Sequence, residues 1–252
     1  MKARAVPLLI GLVSLATAIG MWEAASLLRL ASPAFLPPPS SVVRAFVELV
    51  QDGEVWRQLL HTAGLFVGAY AIACALGIAV GIWMGCSEFA DGLLEPLVEL
   101  LRPIPKSALV PALFLFLGIG PLTMVTVVVF AAVFPVLINV YQGVRGLDPV
   151  LQDTARTFGC SRWRTIRSVV LPATLPAIFT GMKVSLSLGI VLTVLAEMLA
   201  GQSGLGFVIL DTQRSFQTAQ MYAWVMVLAA FGAACSLAFD RIERVAIPWH
   251  GR

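Results

Sequence analysis

Charge is scarce in this chain. Only 12% of its 252 residues are Asp, Glu, Lys or Arg, whereas 59% are hydrophobic and the mean hydropathy is +0.90. A soluble domain is roughly a quarter charged, so this chain has too few polar side chains to cover a globule in water. The composition excludes a soluble domain and predicts an integral membrane protein, in which the net charge of +3 reflects topology rather than nucleic-acid binding.

Histidine, cysteine and lysine are also rare, and each shortage excludes a class of chemistry. The two histidines, His61 and His250, have no sequence neighbours that would complete a metal site or a His-based triad. The four cysteines show neither zinc spacing nor a disulfide pattern. None of the three lysines follows a glycine, as a phosphate-binding loop requires. We therefore expect no catalytic residue, metal ligand or cofactor on this chain, and any ATP hydrolysis belongs to another polypeptide.

The chain contains five long intervals with little or no charge. They are residues 5–22, 58–87, 107–144, 168–200 and 215–239. A bilayer core about 30 Å thick needs roughly 20 helical residues, and a helix satisfies its own backbone hydrogen bonds. The interval 107–144 is too long for one helix, and the sequence from Gly118 to Pro121 predicts a turn inside it.

These intervals predict an all-α integral membrane protein with one transmembrane domain, residues 1–252. The six predicted spans are about 7–29, 62–86, 96–118, 121–143, 176–199 and 220–240. Short cytoplasmic loops retain Lys and Arg, and an inward N-terminus places twelve of these residues inside and four outside. Both termini are therefore predicted to be cytoplasmic. The first span imitates a signal peptide up to Ala18, but its apolar character continues to Leu30, which favours a retained span.

The loop of residues 144–175 is predicted to contain two short helices. Asp148 caps the first helix and Gly159 ends it, while Ser161 caps the second helix before Pro172 and Pro176 open the fifth span. Three large apolar side chains of this loop have no span to bury them: Leu151, Phe158 and Trp163. On physical grounds the loop either lies on anionic lipid headgroups or docks a cytoplasmic partner.

The residue spacing in this loop resembles the EAA loop of ABC importer permeases. That motif is Glu-Ala-Ala, three residues, Gly, nine residues, Ile, one residue and Leu-Pro. The matching positions here are Asp153, Thr154, Ala155, Gly159, Val169, Leu171 and Pro172, with Phe158 beside the glycine. Asp153, Thr154 and Val169 depart from the motif's Glu, Ala and Ile, but the spacing is intact.

The resemblance covers nearly the whole chain and is greatest to the branch that imports sulfonates, taurine and nitrate. The segments that carry it are Leu36-Pro37, Arg102 to Pro105, Ala108 to Pro111, Phe116 to Gly118, Gly181 to Lys183 and Ala196-Glu197. It implies a type I importer permease in the bacterial inner membrane, commonly a homodimer. It also implies cytoplasmic ATPase subunits that hold ATP and Mg, and an extracytoplasmic solute-binding protein.

Three ionisable residues are candidates for the pathway or gate: Arg102, Lys183 and Glu197. Such groups are costly inside a bilayer and therefore suggest function. The alternative for Lys183 is that its ammonium reaches the cytoplasmic headgroups. The alternative for Glu197 is a surface-level carboxylate hydrogen-bonded to the following loop, residues 201–204.

Other segments suggest contacts. Glycines recur every four residues in the second span, at Gly64 and Gly68 and at Gly77, Gly81 and Gly85. This spacing indicates a subunit interface, a sliding gate surface or packing within one subunit. An amphipathic helix over 40–50 and the loop 201–220 are candidate surfaces for the binding protein.

Two other importer or transporter types remain as alternatives. One is an ABC importer of a vitamin precursor or another small molecule. The other is an ion-coupled secondary transporter, which would need two related halves that the sequence does not display. A membrane-embedded enzyme is disfavoured by the shortage of His and Cys.

Overall fold

The structure, a computed structural model, is helical throughout the residues that it describes, which are 2–30, 32 and 34–249. The side chains of residues 2–9, 12, 152 and 156 lie outside that description, as does residue 252, so part of the predicted charge asymmetry does too. The helices are α1 (Lys2–Leu27), α2 (Pro39–Gln51), α3 (Glu54–Cys86), α4 (Glu88–Leu101), α5 (Val110–Leu117), α6 (Pro121–Arg145), α7 (Pro149–Thr157), α8 (Arg162–Thr165), α9 (Leu171–Ala200), α10 (Leu205–Arg214) and α11 (Thr218–Ala246). The all-α prediction is confirmed.

Four helices in the described part of the chain are long and apolar enough to cross a membrane. They are α3, α6, the continuous helix Arg162–Ala200 and α11. The bent pair of α4 with residues 106–117 makes a fifth if it is counted as one span. The apolar part of α1, Val13–Leu27, is shorter than the helices counted as spans. The count of six spans therefore remains a prediction.

The predicted span 96–118 is not one straight helix. α4 ends at Leu101, a 3-10 turn covers Lys106–Leu109, and the two arms meet at an angle of 86°. Pro103 and Pro105 explain the break, because each lacks a backbone N–H and disfavours helical geometry in the residue before it.

The sequence analysis predicts that the second helix of the 144–175 loop is separate from the fifth span, and this prediction is wrong. α8, a π-helical turn over Ile166–Val170 and α9 form one helix, Arg162–Ala200. Pro172 and Pro176 lie inside it rather than at its start. The wider π turn lies directly before Pro172, where the missing N–H interrupts the regular hydrogen-bond ladder.

The core is formed by α3, α6 and α9. A Cβ added to Gly77 would lie 2.8 Å from the Cβ of Val136, and one added to Gly85 would lie 2.5 Å from the Cβ of Val144. These glycines therefore let α3 and α6 approach closely. Gly64, by contrast, has open space around its Cα, so only the second glycine group packs within the subunit. Apolar side chains of α3, such as Leu60 and Val67, remain exposed on the lipid-compatible surface.

α2 is tied to α1 at its N-terminus. Glu23 accepts hydrogen bonds from the backbone N–H of Ser40 at 3.1 Å and from the Ser40 hydroxyl at 2.8 Å. The carboxylate thus satisfies an otherwise unpaired N–H in the first turn of α2. These bonds fix the start of the amphipathic helix α2 against α1.

Candidate functional site

The helical hairpin between α6 and α9 is shaped by local hydrogen bonds. The Asp148 carboxylate accepts from the backbone N–H of Val150 at 2.9 Å, and the Ser161 hydroxyl accepts from that of Arg164 at 3.4 Å. Gly159 has a φ of +68°, which is favourable for glycine and strained for most other residues. The N–H of Cys160 then reaches back to the carbonyl of Ala155 at 3.0 Å and closes the end of α7.

The motif residues of this loop divide into a buried and an exposed set. Ala155 is buried, and α7 contacts the π turn. The apolar residues predicted to lack a burial site are exposed: Leu151, Phe158 and Trp163. Phe158 is the most exposed of the three, at 82%. The hairpin is a self-supporting projection with an aromatic side chain at its corner.

The other motif positions lie along the same projection. Asp153 and Thr154 are exposed on α7, and Pro172 is exposed in the first turn of α9. Val169 and Leu171 are half-buried and flank the buried Val170. The motif therefore spans both arms of the hairpin, so that a rigid partner contacting α7 would move the start of α9.

Glu197 lies near the far end of α9 and is completely buried, so it is not the surface-level carboxylate considered from the sequence. Its carboxylate accepts from the Thr62 hydroxyl at 2.8 Å and from the backbone N–H of Gly206 at 2.9 Å. The Nδ1 atom of His61 lies 3.7 Å from the same carboxylate. Glu197 thus joins α3, α9 and α10 rather than bonding to the amides of residues 201–204.

Two polar residues of α3 that the sequence analysis missed extend this network. Thr62 accepts from the N–H of Leu205 at 2.8 Å, and Gln58 accepts from the N–H of Gly204 at 2.6 Å. Gln58 and Thr62 are four residues apart, so they lie on one helix face in an otherwise apolar interval. That spacing was the available signal, because polar side chains within a span usually face another helix.

The backbone from Gly201 to Gly206 packs closely against Glu197 and its helix. A Cβ on Gly204 would lie 2.2 Å from Glu197 Oε1, and one on Gly206 would lie 2.2 Å from the carbonyl oxygen of Val194. Gly204 also has a φ of +104°. We call Gln58, Thr62, Glu197, Gly204 and Gly206 the Glu197 cluster. Among the described residues no group of three His, Cys, Asp or Glu side chains is arranged to hold a metal ion.

Lys183 is paired with the last helix. Its Nζ atom donates to Asp240 Oδ1 at 2.7 Å and lies 4.0 Å from Glu243 Oε2. The side chain is half exposed. Lys183 therefore has carboxylate partners on α11, which the sequence analysis did not predict, and the headgroup contact stays a prediction.

Replacing Lys183 with methionine is expected to leave solute uptake within about twofold of wild type, because exposed ion pairs contribute little. The check is uptake in vesicles together with the yield of assembled importer. Asp240→Asn should have the same mild effect. Loss of uptake at normal assembly for Lys183→Met alone would show that the ammonium acts in the pathway.

Arg102 is the only one of the three pathway candidates that lines a large described cavity. This opening lies at the bend after α4 and faces the middle of α6 and α9. Neither Lys183 nor Glu197 lines it. The structure thus separates the three residues. Lys183 pairs with α11, Glu197 holds the loop after α9, and Arg102 faces the cavity.

Comparison with known proteins finds similarity along almost the whole chain. Residues 77–249 match the family model described as "Binding-protein-dependent transport system inner membrane component". The taurine transport system permease protein TauC of Escherichia coli (strain K12) is 32% identical over 99% of this chain and 92% of its own length. An aliphatic sulfonates transport permease protein, SsuC of Bacillus subtilis (strain 168), is 30% identical over 95% and 87%, respectively.

A solved structure has the same fold. The MetNI methionine ABC transporter in an inward-facing conformation superposes with a TM-score of 0.63 at 17% identity, covering 75% of this chain and 94% of that one. At this identity the likeness concerns the fold alone.

Proposed function

The chain belongs to the family of binding-protein-dependent transport system inner membrane components, and we propose from that premise that its solute is a small organic sulfonate. It is the permease subunit of an ABC importer in the inner membrane, a transport subunit whose ATPase is a partner chain. The observation that supports the solute is the near full-length similarity to permeases named for taurine and aliphatic sulfonates. Nitrate, which the sequence resemblance also suggested, has no counterpart among these relatives.

The hairpin of α7 and α8 is the proposed contact with the ATPase, which would hold ATP and Mg. Its exposed Phe158 and Trp163 provide aromatic anchors of the kind that dominate protein interfaces. Its caps give it a fixed shape without a partner, and its continuity with α9 offers a rigid lever. Closure of the ATPase would thereby tilt the helix that carries Glu197 at its other end.

The remaining assembly follows the family expectation. We place both termini and the hairpin on the cytoplasmic side, with a second copy of the chain completing the pathway within the lipid bilayer. The continuous helix of 39 residues then separates the hairpin from the loop after Ala200 by its length of roughly 58 Å. The loop, α10 and α2 consequently face outward, where the binding protein arrives.

Phe216 is an exposed aromatic residue with an unusual backbone conformation on this outer surface. It follows α10 with a φ of +56° and is 76% exposed. A left-handed conformation disfavours a large side chain, and glycine is the usual residue where a helix ends in this way. Two grooves meet at this residue, one of about 430 Å³ beside Phe35 and Arg214 and one of about 520 Å³ beside Arg44. The exposed ring suits an apolar surface of the binding protein. The two arginines outnumber the one carboxylate of these grooves, Glu48, and so favour acidic groups at the rim of that surface.

Replacing Phe216 with glycine is expected to leave the melting temperature unchanged or slightly higher, because glycine relieves the backbone strain. It should nevertheless raise the concentration of binding protein needed for half-maximal ATPase stimulation by about tenfold, as loss of an aromatic interface anchor does. Phe89→Ala, which removes an equally exposed ring from α4, is the control and should have no effect. Unchanged stimulation in Phe216→Gly would exclude this docking surface.

The proposed function is tested by purifying the tagged chain in mild detergent with its associated proteins. Mass spectrometry should identify an ATPase in equal amount. The number of permease chains in the complex will show whether a second copy is present. The reconstituted importer with its binding protein should then hydrolyse ATP in response to taurine or alkanesulfonates. An assembled importer that no sulfonate stimulates would refute the solute, and a stable particle without ATPase after crosslinking would favour a secondary transporter.

A further inference from the structure

The cavity at the bend has one polar end and one apolar wall. It has a volume of about 600 Å³ and opens between the α4–α5 bend, α6 and α9. Its polar end is formed by Arg102, Lys106, Ser107 and Asn139. Its apolar wall on α9 is formed by Val184, Leu188, Val191, Leu192 and Leu195.

The Lys106 ammonium lies roughly midway along the neighbouring helix α6. The Nζ atom of Lys106 is 5.0 Å from the ring centroid of Phe134, which is near the middle of α6. The same ammonium donates to the carbonyl of Leu101 at 3.1 Å and so caps the C-terminus of α4. This contact holds the charge at the bend instead of letting it extend to a headgroup. A basic group kept at such depth is costly without a function.

Arg102 is available to an anion. Its guanidinium is 55% exposed, and its ion pair is with Glu99 at 3.6 Å, itself a largely exposed carboxylate. Pairs of this kind are weak in water, whereas a guanidinium binds a sulfonate or carboxylate through two parallel hydrogen bonds. Asn139 also lines the cavity, and its amide donates to the carbonyl of Pro135 at 2.8 Å.

The wall of the cavity discriminates between types of anion. No Asp or Glu is among the described residues that line the cavity, and Glu99, outside the lining, is paired with Arg102. A solute ammonium group that lies along α9 would therefore have no carboxylate partner there. The exposed side chains of Val184, Leu188 and Val191 instead offer a hydrocarbon surface on α9. Such a surface gains affinity from each methylene that it covers, by about fourfold.

We infer that this cavity binds an amphiphilic organic anion, with a sulfonate head at Arg102 and Lys106 and an alkyl chain along α9, so that the permease itself favours unsubstituted alkanesulfonates over taurine. This inference rests on the proposed function and narrows it to one substrate class. It assigns Arg102 to the head group and the α9 wall to chain-length selection.

The test is direct binding of radiolabelled hexanesulfonate to the purified permease–ATPase complex without binding protein. Binding should weaken by about sixteenfold from hexanesulfonate to butanesulfonate, because two methylenes are lost. Arg102→Gln should weaken it by at least about tenfold, as loss of a charged hydrogen-bond partner does, with Arg102→Lys intermediate. Arg241→Gln, which removes a cation from α11, serves as the control and should bind normally. Taurine and nitrate should compete poorly.

A second variant examines the wall. Val191→Asp should abolish hexanesulfonate binding and allow radiolabelled taurine to bind directly, because the taurine ammonium would gain a carboxylate partner. Should this variant fail to assemble, the chain-length series on the wild type still decides. The inference would be overturned if the affinity did not depend on the length of the alkyl chain, or if Arg102→Gln bound hexanesulfonate as tightly as wild type. An importer that takes up taurine but does not bind hexanesulfonate would refute the inference alone, whereas one that takes up no sulfonate would refute the proposed function.

Discussion

Replacing Glu197 with leucine is expected to destabilise the permease by about 2–5 kcal/mol, because two buried donors lose their acceptor. The backbone N–H of Gly206 and the Thr62 hydroxyl both point at this carboxylate and have little space to turn elsewhere. The loss would detach α10 from the end of α9. It should appear as a large fall in the melting temperature of the detergent-solubilised chain.

Matched variants separate the shape of the side chain from its charge. Glu197→Gln keeps the shape and one acceptor and should be less damaging than Glu197→Leu. Gly204→Ala should resemble the leucine variant although it leaves the carboxylate in place, since its Cβ would lie 2.2 Å from Oε1 at a φ of +104°. A melting temperature of Glu197→Leu equal to that of wild type would disprove the role of the cluster in stability.

The same variants also distinguish anchoring from gating. If the cluster only anchors the loop after α9, uptake by Glu197→Gln should decline in proportion to the amount of folded protein. A Glu197→Gln importer that is fully assembled and yet inactive would place the carboxylate in the gate. Uptake per assembled importer is therefore the measurement that assigns the role.

Replacing Phe158 with aspartate is expected to reduce recovery of the partner ATPase by about thirtyfold or more, the effect of losing an interface residue worth about 2 kcal/mol. The ring is 82% exposed and follows the last turn of α7, so its removal takes little from the fold of the chain. The aspartate would add a charge that an apolar socket excludes. Co-purification and solute-stimulated ATPase activity measure the result.

Val245→Asp is the control for the Phe158 variant. Val245 is 83% exposed near the end of α11, so the same charge is introduced at an equally exposed apolar position away from the hairpin. It should leave ATPase recovery intact. If Phe158→Asp also retained normal recovery and stimulation, the hairpin would be assigned to the lipid surface instead.

Much of the local architecture could be predicted from neighbouring residues. The caps at Asp148 and Ser161 and the turn at Gly159 involve atoms a few residues apart, so the composition of one short segment decides them. The prediction failed where two local signals competed. The sequence analysis predicts that Pro172 and Pro176 open the fifth span, but the helix continues through both, with a π turn directly before Pro172.

The bend between α4 and α5 shows the same limit. The sequence analysis predicts one span over 96–118, which extends upstream of the charge-free interval 107–144, although Pro103 and Pro105 carry the opposite signal. Hydropathy measures transfer into lipid and is insensitive to where the backbone turns. The cavity beside Arg102 exists because of that turn, so it could not be found from hydropathy.

The sequence by itself determined that this chain is helical and membranous, because the transfer of apolar side chains and the pairing of helical backbone groups depend on each segment alone. It also determined the capped hairpin and its aromatic corner. Only the tertiary structure decided that Glu197 is buried against Thr62, 135 residues earlier, that Lys183 pairs with α11 and that Arg102 faces a cavity. These contacts depend on how α3, α6, α9 and α11 pack, and the cost of burying a charge is settled only by the partner that packing brings to it.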